Sequence, residues 1–398
     1  MIRTPRTVIS GLEMLVEHER GLMAGRRVGL LANQASIGSG LVHAADLLAE
    51  VCDLVALFGP EHGLRGEAQD MEATRSGRDP GTGLPVHSLY GGTAATLAPA
   101  PEMLEGLDVL VCDLQDIGAR YYTFAATLFH VMERASGSGL ALVVTDRPNP
   151  LGGSILEGPG LLPDYHSYVG RLDVPVRHGL TMGEMATLFH RRAGLDLDLR
   201  VIPMVGWGRE MLWRDTGLPW VAPSPNMPTP DTVSIYPGAC LVEGTTLSEG
   251  RGTTRPFEYV GAPWVDAVAL ADTLNRLEHP GLRFRAHWFR PVAQKWMGET
   301  CAGVQVHVTS RRAVRSFAAY VDLLAAMRSQ APEKFSWRTE AYEFETRHPA
   351  VDLLAGSAGL RLALEEGQWS SEMTHAWEAD AAAFERLRQP VLLYGSAG

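Results

Sequence analysis

The chain has 398 residues, with 35 Lys and Arg against 46 Asp and Glu, a formal net charge of -11, 45% hydrophobic and 20% charged residues. That composition is ordinary for a globular protein with room for two domains. The acidic surplus argues against nucleic-acid or anionic-membrane partners held by bulk electrostatics, so an acidic ligand would need local arginines.

Arg27 to Asn33 reads as a first strand, residues 41–50 as a short helix and Cys52 to Phe58 as a second strand. Between them, Gly38-Ser-Gly40-Leu-Val-His43 half-resembles a dinucleotide fingerprint. His43 stands where a small residue must let helix and sheet pack closely, so the segment reads as a Gly-rich turn and no cofactor is expected. Asp108 to Asp113 is the next strand, Tyr122 to Arg134 a helix with Phe124, Leu128 and Val131 on one face, and Leu140 to Thr145 a further strand. Thr181 to Arg192 is a helix, with Thr181 and Glu184 spaced as a capping box, and residues 199–204 return to strand. Strands alternating with helices argue for an α/β fold with a parallel sheet covered on both faces. The Pro-rich segment 219–230 forbids regular helix or central strand and reads as a rigid loop, given its interleaved Asn226 and Thr229. Helices over Val265–Leu277 and Ala313–Met327, around a β-rich stretch near 283–309, indicate a second, smaller α/β domain that begins within 231–262.

No run approaches the roughly 18 apolar residues of a membrane span. Met1 to Val8 lacks the apolar stretch of an export signal, so a cytoplasmic setting is expected. Cys52, Cys112, Cys240 and Cys301 form no CxxC pair, so neither a disulfide framework nor a structural zinc site is expected. Walker, nucleophile-elbow and HExxH motifs are absent.

The chemistry gathers where strands end, the place parallel α/β proteins put their ligands. The second strand breaks at Gly59-Pro60 and is followed by Glu61, His62 and Arg65. The next delivers Asp113, Gln115, Asp116, Arg120, Tyr121 and Tyr122, and the one after it Asp146, Arg147 and Asn149. A glycine-rich loop carries Glu243, Glu249 and Arg251, and His178 precedes the 181–192 helix. Any one acid here would serve equally as a helix cap, and the glycine loop as a solvated hairpin. Three loops with an acid and an arginine apiece favour a site. Carboxylates and arginines without a metal, a cofactor or an activated Ser or Cys fit glycoside hydrolysis, which needs a protonated carboxyl beside the leaving oxygen and usually a second carboxylate. Tyrosines at 90, 121, 122 and 236 suit sugar faces, and arginines suit an acidic sugar.

In order along residues 28–260 run Gly29-Leu-Leu-Ala-Asn33-Gln34, Leu57-Phe-Gly-Pro-Glu61-His62-Gly63-Leu-Arg65-Gly66, and Leu84-Pro-Val-His-Ser-Leu-Tyr90-Gly91. They continue with Asp113-Leu-Gln115-Asp116-Ile-Gly118-Ala-Arg120-Tyr121-Tyr122-Thr123, Asp146-Arg147-Pro148-Asn149-Pro150, Pro175-Val-Arg177-His178-Gly179, Pro223-Ser-Pro225-Asn226-Met227-Pro228 and Glu249-Gly-Arg251-Gly252-Thr253. These motifs resemble the exo-β-N-acetylmuramidase family of the NamZ type, formerly a domain of unknown function; the C-terminal third matches loosely.

The resemblance implies a Rossmann-like domain over residues 1–235, a smaller α/β domain over 236–398 and an active-site cleft between them. It implies release of terminal β-1,4-linked N-acetylmuramic acid from the non-reducing end of peptidoglycan-derived MurNAc-GlcNAc saccharides, in cell-wall turnover or recycling. Glu61 is then the expected general acid. Glu249, Asp116 and Asp113, in that order, are the candidates for the second carboxylate, unless the substrate's N-acetyl group is the nucleophile. Arg65, Arg120, Arg147 and Arg251 are candidates for the lactyl carboxylate. Asn33, His62, Asp113, Gln115, Tyr121, Tyr122, Asp146, Asn149, His178 and Asn226 complete the expected binding set, with a structural role open for both histidines. No metal is expected. The competing readings are a muropeptide sensor on the same fold, in which Glu61 is dispensable, a nucleotide-dependent oxidoreductase and a metal-dependent amidase.

Overall fold

The computed structural model describes residues 7–395; most of the N-terminal segment read above for an export signal lies outside them. Seven strands form the first sheet: β1 (Arg27–Ala32), β2 (Asp53–Gly59), β3 (Gly77–Arg78), β4 (Pro85–Ser88), β5 (Val109–Asp113), β6 (Ala141–Thr145) and β7 (Leu199–Ile202). Their order is β3-β4-β2-β1-β5-β6-β7, parallel throughout except for the antiparallel edge pair β3/β4. The chain steps outward from β1 to β2 and then returns to β5 on the other side of β1. The carboxyl ends of β1 and β5 therefore flank the topological switch point, the usual ligand crevice of such sheets.

Both faces of this sheet are apolar, as buried parallel strands require. Val28, Leu30, Val109 and Val111 pack with Leu12 and Leu15 of the helix Gly11–His18 and with Leu48 of the helix Ala44–Ala49. The alternate residues Leu31, Leu110, Cys112 and Val144 face the helices Phe124–Ala135 and Met182–Ala193. Phe129 and Phe189 stack between those two helices, with centroids 4.2 Å apart. Thr181 caps the second of them in the expected reciprocal pattern with Glu184.

The second region carries the antiparallel sheet β8 (Tyr259–Ala262), β10 (Cys301–Val308) and β9 (Leu282–Phe289), in that spatial order, with the helices Ala267–Arg276 and Ser316–Gln330. The Pro-rich segment is irregular until Pro230, where Thr229 caps the helix Pro230–Ala239. That helix tolerates Pro237 within it and contains the 235/236 junction. The long helix Ser370–Arg388 leads the chain back to the first sheet. There the Tyr394 hydroxyl donates to Asp146 at the end of β6 (2.6 Å), and the Leu393 amide donates to Glu184 (2.9 Å). Among the described residues no helix is long and apolar enough to cross a membrane.

Candidate active site

After β2 the chain reverses at once, and Gly59 permits it, because a Cβ there would lie 2.7 Å from the Leu64 amide nitrogen. His62 and Gly63 make the reversal with left-handed φ values of 69° and 83°. His62 is a non-glycine residue in that region, the kind of local strain that functional sites retain. Its Nδ1 lies 3.1 Å from the Ala68 carbonyl and must donate to it, which leaves Nε2 as the ring nitrogen without that tie.

The reversal folds Glu61 over the sheet's carboxyl edge, only 4% exposed. Its Oε2 accepts from the Thr123 hydroxyl at 2.6 Å, and its Oε1 from the Met71 amide at 3.3 Å. Thr123 immediately precedes the helix Phe124–Ala135. Two further carboxyls converge here: Asp70 from the same loop and Glu343 from the second region. Oxygens of Glu61, Asp70 and Glu343 all lie within 4.8 Å of one another.

Arg251 faces this cluster from the glycine-rich loop, which is buried rather than a solvated hairpin. It donates to Asp70 (3.0 Å) and to Glu243 (2.7 Å), and its guanidinium carbon lies 5.1 Å from the Phe257 ring centre. The Tyr342 hydroxyl donates to the other Glu243 oxygen at 2.6 Å. Burial pushes Asp70 up to about 7 against the pull of Arg251, with Glu243, Glu61 and Glu249 adding to the rise. Glu243 is also buried, but Arg251, the Tyr342 hydroxyl and Lys295 outweigh burial and hold its carboxyl below the usual range. Tyr121, Tyr122, Tyr236, Val169, Met227 and Phe257 wall the pocket. The Tyr122 hydroxyl is buried there with no hydrogen-bond partner among the described residues.

Of the residues expected from sequence, Glu61, His62, Tyr121, Tyr122, Asn226 and Arg251 line this pocket. The others are placed elsewhere. Glu249 is turned to Lys295 (2.9 Å) and to Arg251 (3.6 Å). Asp113 and Arg147 form a bidentate buried pair at 2.6 and 2.7 Å. Arg65 is held by Asp79 and Asp46. Arg120 donates to the carbonyls of Pro159, Val174 and Leu354, tying the second region to the first. These three arginines, expected to read an acidic sugar, are engaged by partners outside this pocket, with only the Arg120 Nε left buried without one among the described residues. Asn33, which donates to the Gln115 carbonyl, and Gln115, which donates to the Asp116 and Pro148 carbonyls, fill the switch-point crevice from within. Asn149 bridges the Leu180 carbonyl and the Leu151 amide. Asp146 accepts from Thr181, Gly183 and Tyr394. Asp116 accepts from the Gly118 amide at 2.6 Å and has the His178 ring 3.8 Å away.

Family profiles for the N-terminal part of the exo-β-N-acetylmuramidase NamZ match residues 28–231, and those for its C-terminal part residues 234–394. The chain belongs to the NamZ exo-β-N-acetylmuramidase family. The peptidoglycan β-N-acetylmuramidase NamZ of Bacillus subtilis is 41% identical over 389 residues, covering 97% of this chain and 91% of that protein. Among solved structures, a DUF1343 family protein from Bacteroides fragilis superposes with a TM-score of 0.87 at 34% identity. It covers 98% of this chain and 99% of its own. A second DUF1343 protein from that organism gives 0.77 at 27% identity with the same coverage. The two NamZ segments share the pocket: Glu61, Asp70 and Tyr122 fall in the first, and Glu243, Arg251 and Glu343 in the second.

Asp116 offers a test of the scaffold. Burial pushes its carboxyl up to about 7 from an ordinary 3.8, against the Gly118 and Ile117 amides. Between those values the folded state holds a proton that the unfolded chain has released, so stability declines as pH rises through that window and levels off above it. Asp116→Asn is expected to flatten this decline, measured as Tm from pH 4 to pH 8. A variant with the wild-type slope would refute the burial argument.

Proposed function

We propose that the protein is an exo-acting glycosidase that releases terminal β-1,4-linked N-acetylmuramic acid from the non-reducing end of peptidoglycan fragments. The observation that carries this reading is a buried glutamate, Glu61, presented at a strand's carboxyl end to an aromatic-walled pocket, in a chain of the NamZ family. Glu61 serves as the general acid that protonates the glycosidic oxygen as its bond to C1 breaks. The tyrosines offer faces to the sugar ring, and the unpartnered Tyr122 hydroxyl offers a donor.

Recognition of the lactyl carboxylate falls to Arg251. In the free pocket Arg251 is engaged by Asp70 and Glu243. With Asp70 raised to about 7, protonation of Asp70 frees one edge of the guanidinium for a substrate carboxylate. The test pairs a chromogenic β-N-acetylmuramide with its β-N-acetylglucosaminide. Release of the chromophore from the first alone is the expected result. Release from both would remove the carboxylate-reading role of Arg251, and binding without release from either would favour a muropeptide sensor.

The spacing of the carboxyls also bears on stereochemistry. Inverting glycosidases keep their two carboxyls about 6.5–9.5 Å apart to admit a water between them. One oxygen of Glu61 and one of Glu343 lie within 4.8 Å of each other, a closer approach than that arrangement favours. Hydrolysis is therefore expected to retain the anomeric configuration, with the β-anomer of the released sugar appearing first by proton NMR. Initial appearance of the α-anomer would contradict this.

A further inference from the structure

Glu343 enters the pocket on a turn in which it and Phe344 both hold left-handed φ values, 48° and 66°. Neither is glycine, so surrounding contacts must hold the turn in place. Tyr90, just beyond β4, supplies two of them. Its hydroxyl donates to Glu343 Oε2 at 2.7 Å, and its ring packs 5.7 Å from that of Phe344. Glu343 Oε2 is thus anchored while the carboxyl stays among the pocket-lining groups. Asp70, the third carboxyl, is engaged by Arg251, whereas no arginine or lysine pairs with Glu61 or Glu343 among the described residues.

Two carboxyls this close, both sheltered from water, repel strongly when both are ionised, and holding a proton between them relieves the repulsion. Burial pushes Glu343 well above the ordinary carboxyl range, Glu61 and Asp70 push it further, and the Tyr90 hydroxyl pulls the other way. We propose that Glu343 is the second catalytic carboxyl of this site: with Glu61 it forms a dyad that holds one proton and hands it to the glycosidic oxygen. This rests on the glycosidase reading above. It takes the place of Glu249, whose carboxyl is committed to Lys295 and Arg251.

The proton leaves the dyad for the bridging oxygen as the C1–O bond breaks, and the bonding electron pair stays on that oxygen. The sugar's own N-acetyl oxygen bonds to C1 as this happens. A water oxygen then displaces it at C1, and the proton that this water sheds returns to the now doubly ionised dyad. One water is consumed, and the pocket recovers its starting charge.

The test compares wild type, Glu343→Gln and Tyr90→Phe on the MurNAc-GlcNAc disaccharide and on a nitrophenyl β-N-acetylmuramide, whose leaving group needs little protonation. Glu343→Gln is expected to lose about 100–10,000-fold in kcat on the disaccharide and far less on the nitrophenyl glycoside. It should also lose a carboxylic-acid infrared band that wild type shows at pH 7. Tyr90→Phe removes the donor that lowers the Glu343 carboxyl, so the alkaline limb of its kcat profile should move to higher pH. Wild type splitting both glycosides while Glu343→Gln matches it on both, with its pH profile unmoved, would overturn the dyad and leave the glycosidase reading standing. Wild type splitting neither would overturn that reading, and the dyad's catalytic role with it. If Glu343→Gln fails to fold, an unmoved alkaline limb in Tyr90→Phe overturns the dyad on its own.

Discussion

Glu61→Gln is expected to slow hydrolysis of the MurNAc-GlcNAc disaccharide by about 10²–10⁴-fold, the usual contribution of a general acid, while leaving the fold intact. The amide fits where the carboxyl was. Its oxygen can accept from the Met71 amide, and its nitrogen can donate to the Thr123 hydroxyl once that hydroxyl rotates, so neither partner is orphaned. What the amide lacks is a proton to give. Turnover and a thermal melt of the same preparation separate the two effects. A rate near wild type would remove Glu61 from the mechanism, and a collapsed melt would make it a structural residue.

Arg251→Met is expected to have the largest effect on stability. Arg251 is 7% exposed, and its guanidinium pairs with Asp70 and Glu243, with Glu249 close by. Removing one partner of a buried ion pair typically costs about 3–5 kcal/mol, because the abandoned charge remains. The sign of the pH dependence follows from Glu243, held by Arg251 below its ordinary value of 4.5. That contribution to stability is present above the unfolded value and is lost as pH falls through the folded one. The deficit of Arg251→Met should therefore be full at pH 7.5 and shrink below about 4.5. Urea unfolding at both pH values measures it; a deficit that does not change with pH would mean that packing on Phe257, rather than charge, is what Arg251 supplies. Adding Glu243→Gln to Arg251→Met should restore part of the loss, since the pair is coupled.

The fold was largely legible because its signals are local. Continuous apolar runs mark β1, β2, β5 and β6, and Thr181 with Glu184 announces the start of a helix. Glu61 was legible for the same reason, since a strand that breaks at Gly59-Pro60 must present whatever follows. Local signals do not say which charged groups find each other across the chain. Asp113 and Arg147 look like a reaction centre in sequence, yet each is consumed by the other. Glu243 stood inside the glycine-rich loop, and Asp70 lies three residues past Glu67. Both were within reach of a search for a partner to Arg251. Glu343 carried no signal: it belongs to no strand end, and only tertiary folding brings it beside Glu61.

The return of the chain to its own beginning has a consequence for synthesis. A nascent polypeptide folds from its N-terminus, domain by domain, so β7 closes the first sheet while Glu243, Arg251 and Glu343 are still untranslated. At that stage there is half a pocket. The latch of Tyr394 onto Asp146 is formed only by the last few residues of the described chain. A product that stops short of Glu343 therefore carries Glu61 without the carboxyl that faces it, and one that stops short of Glu243 lacks the Arg251 loop as well.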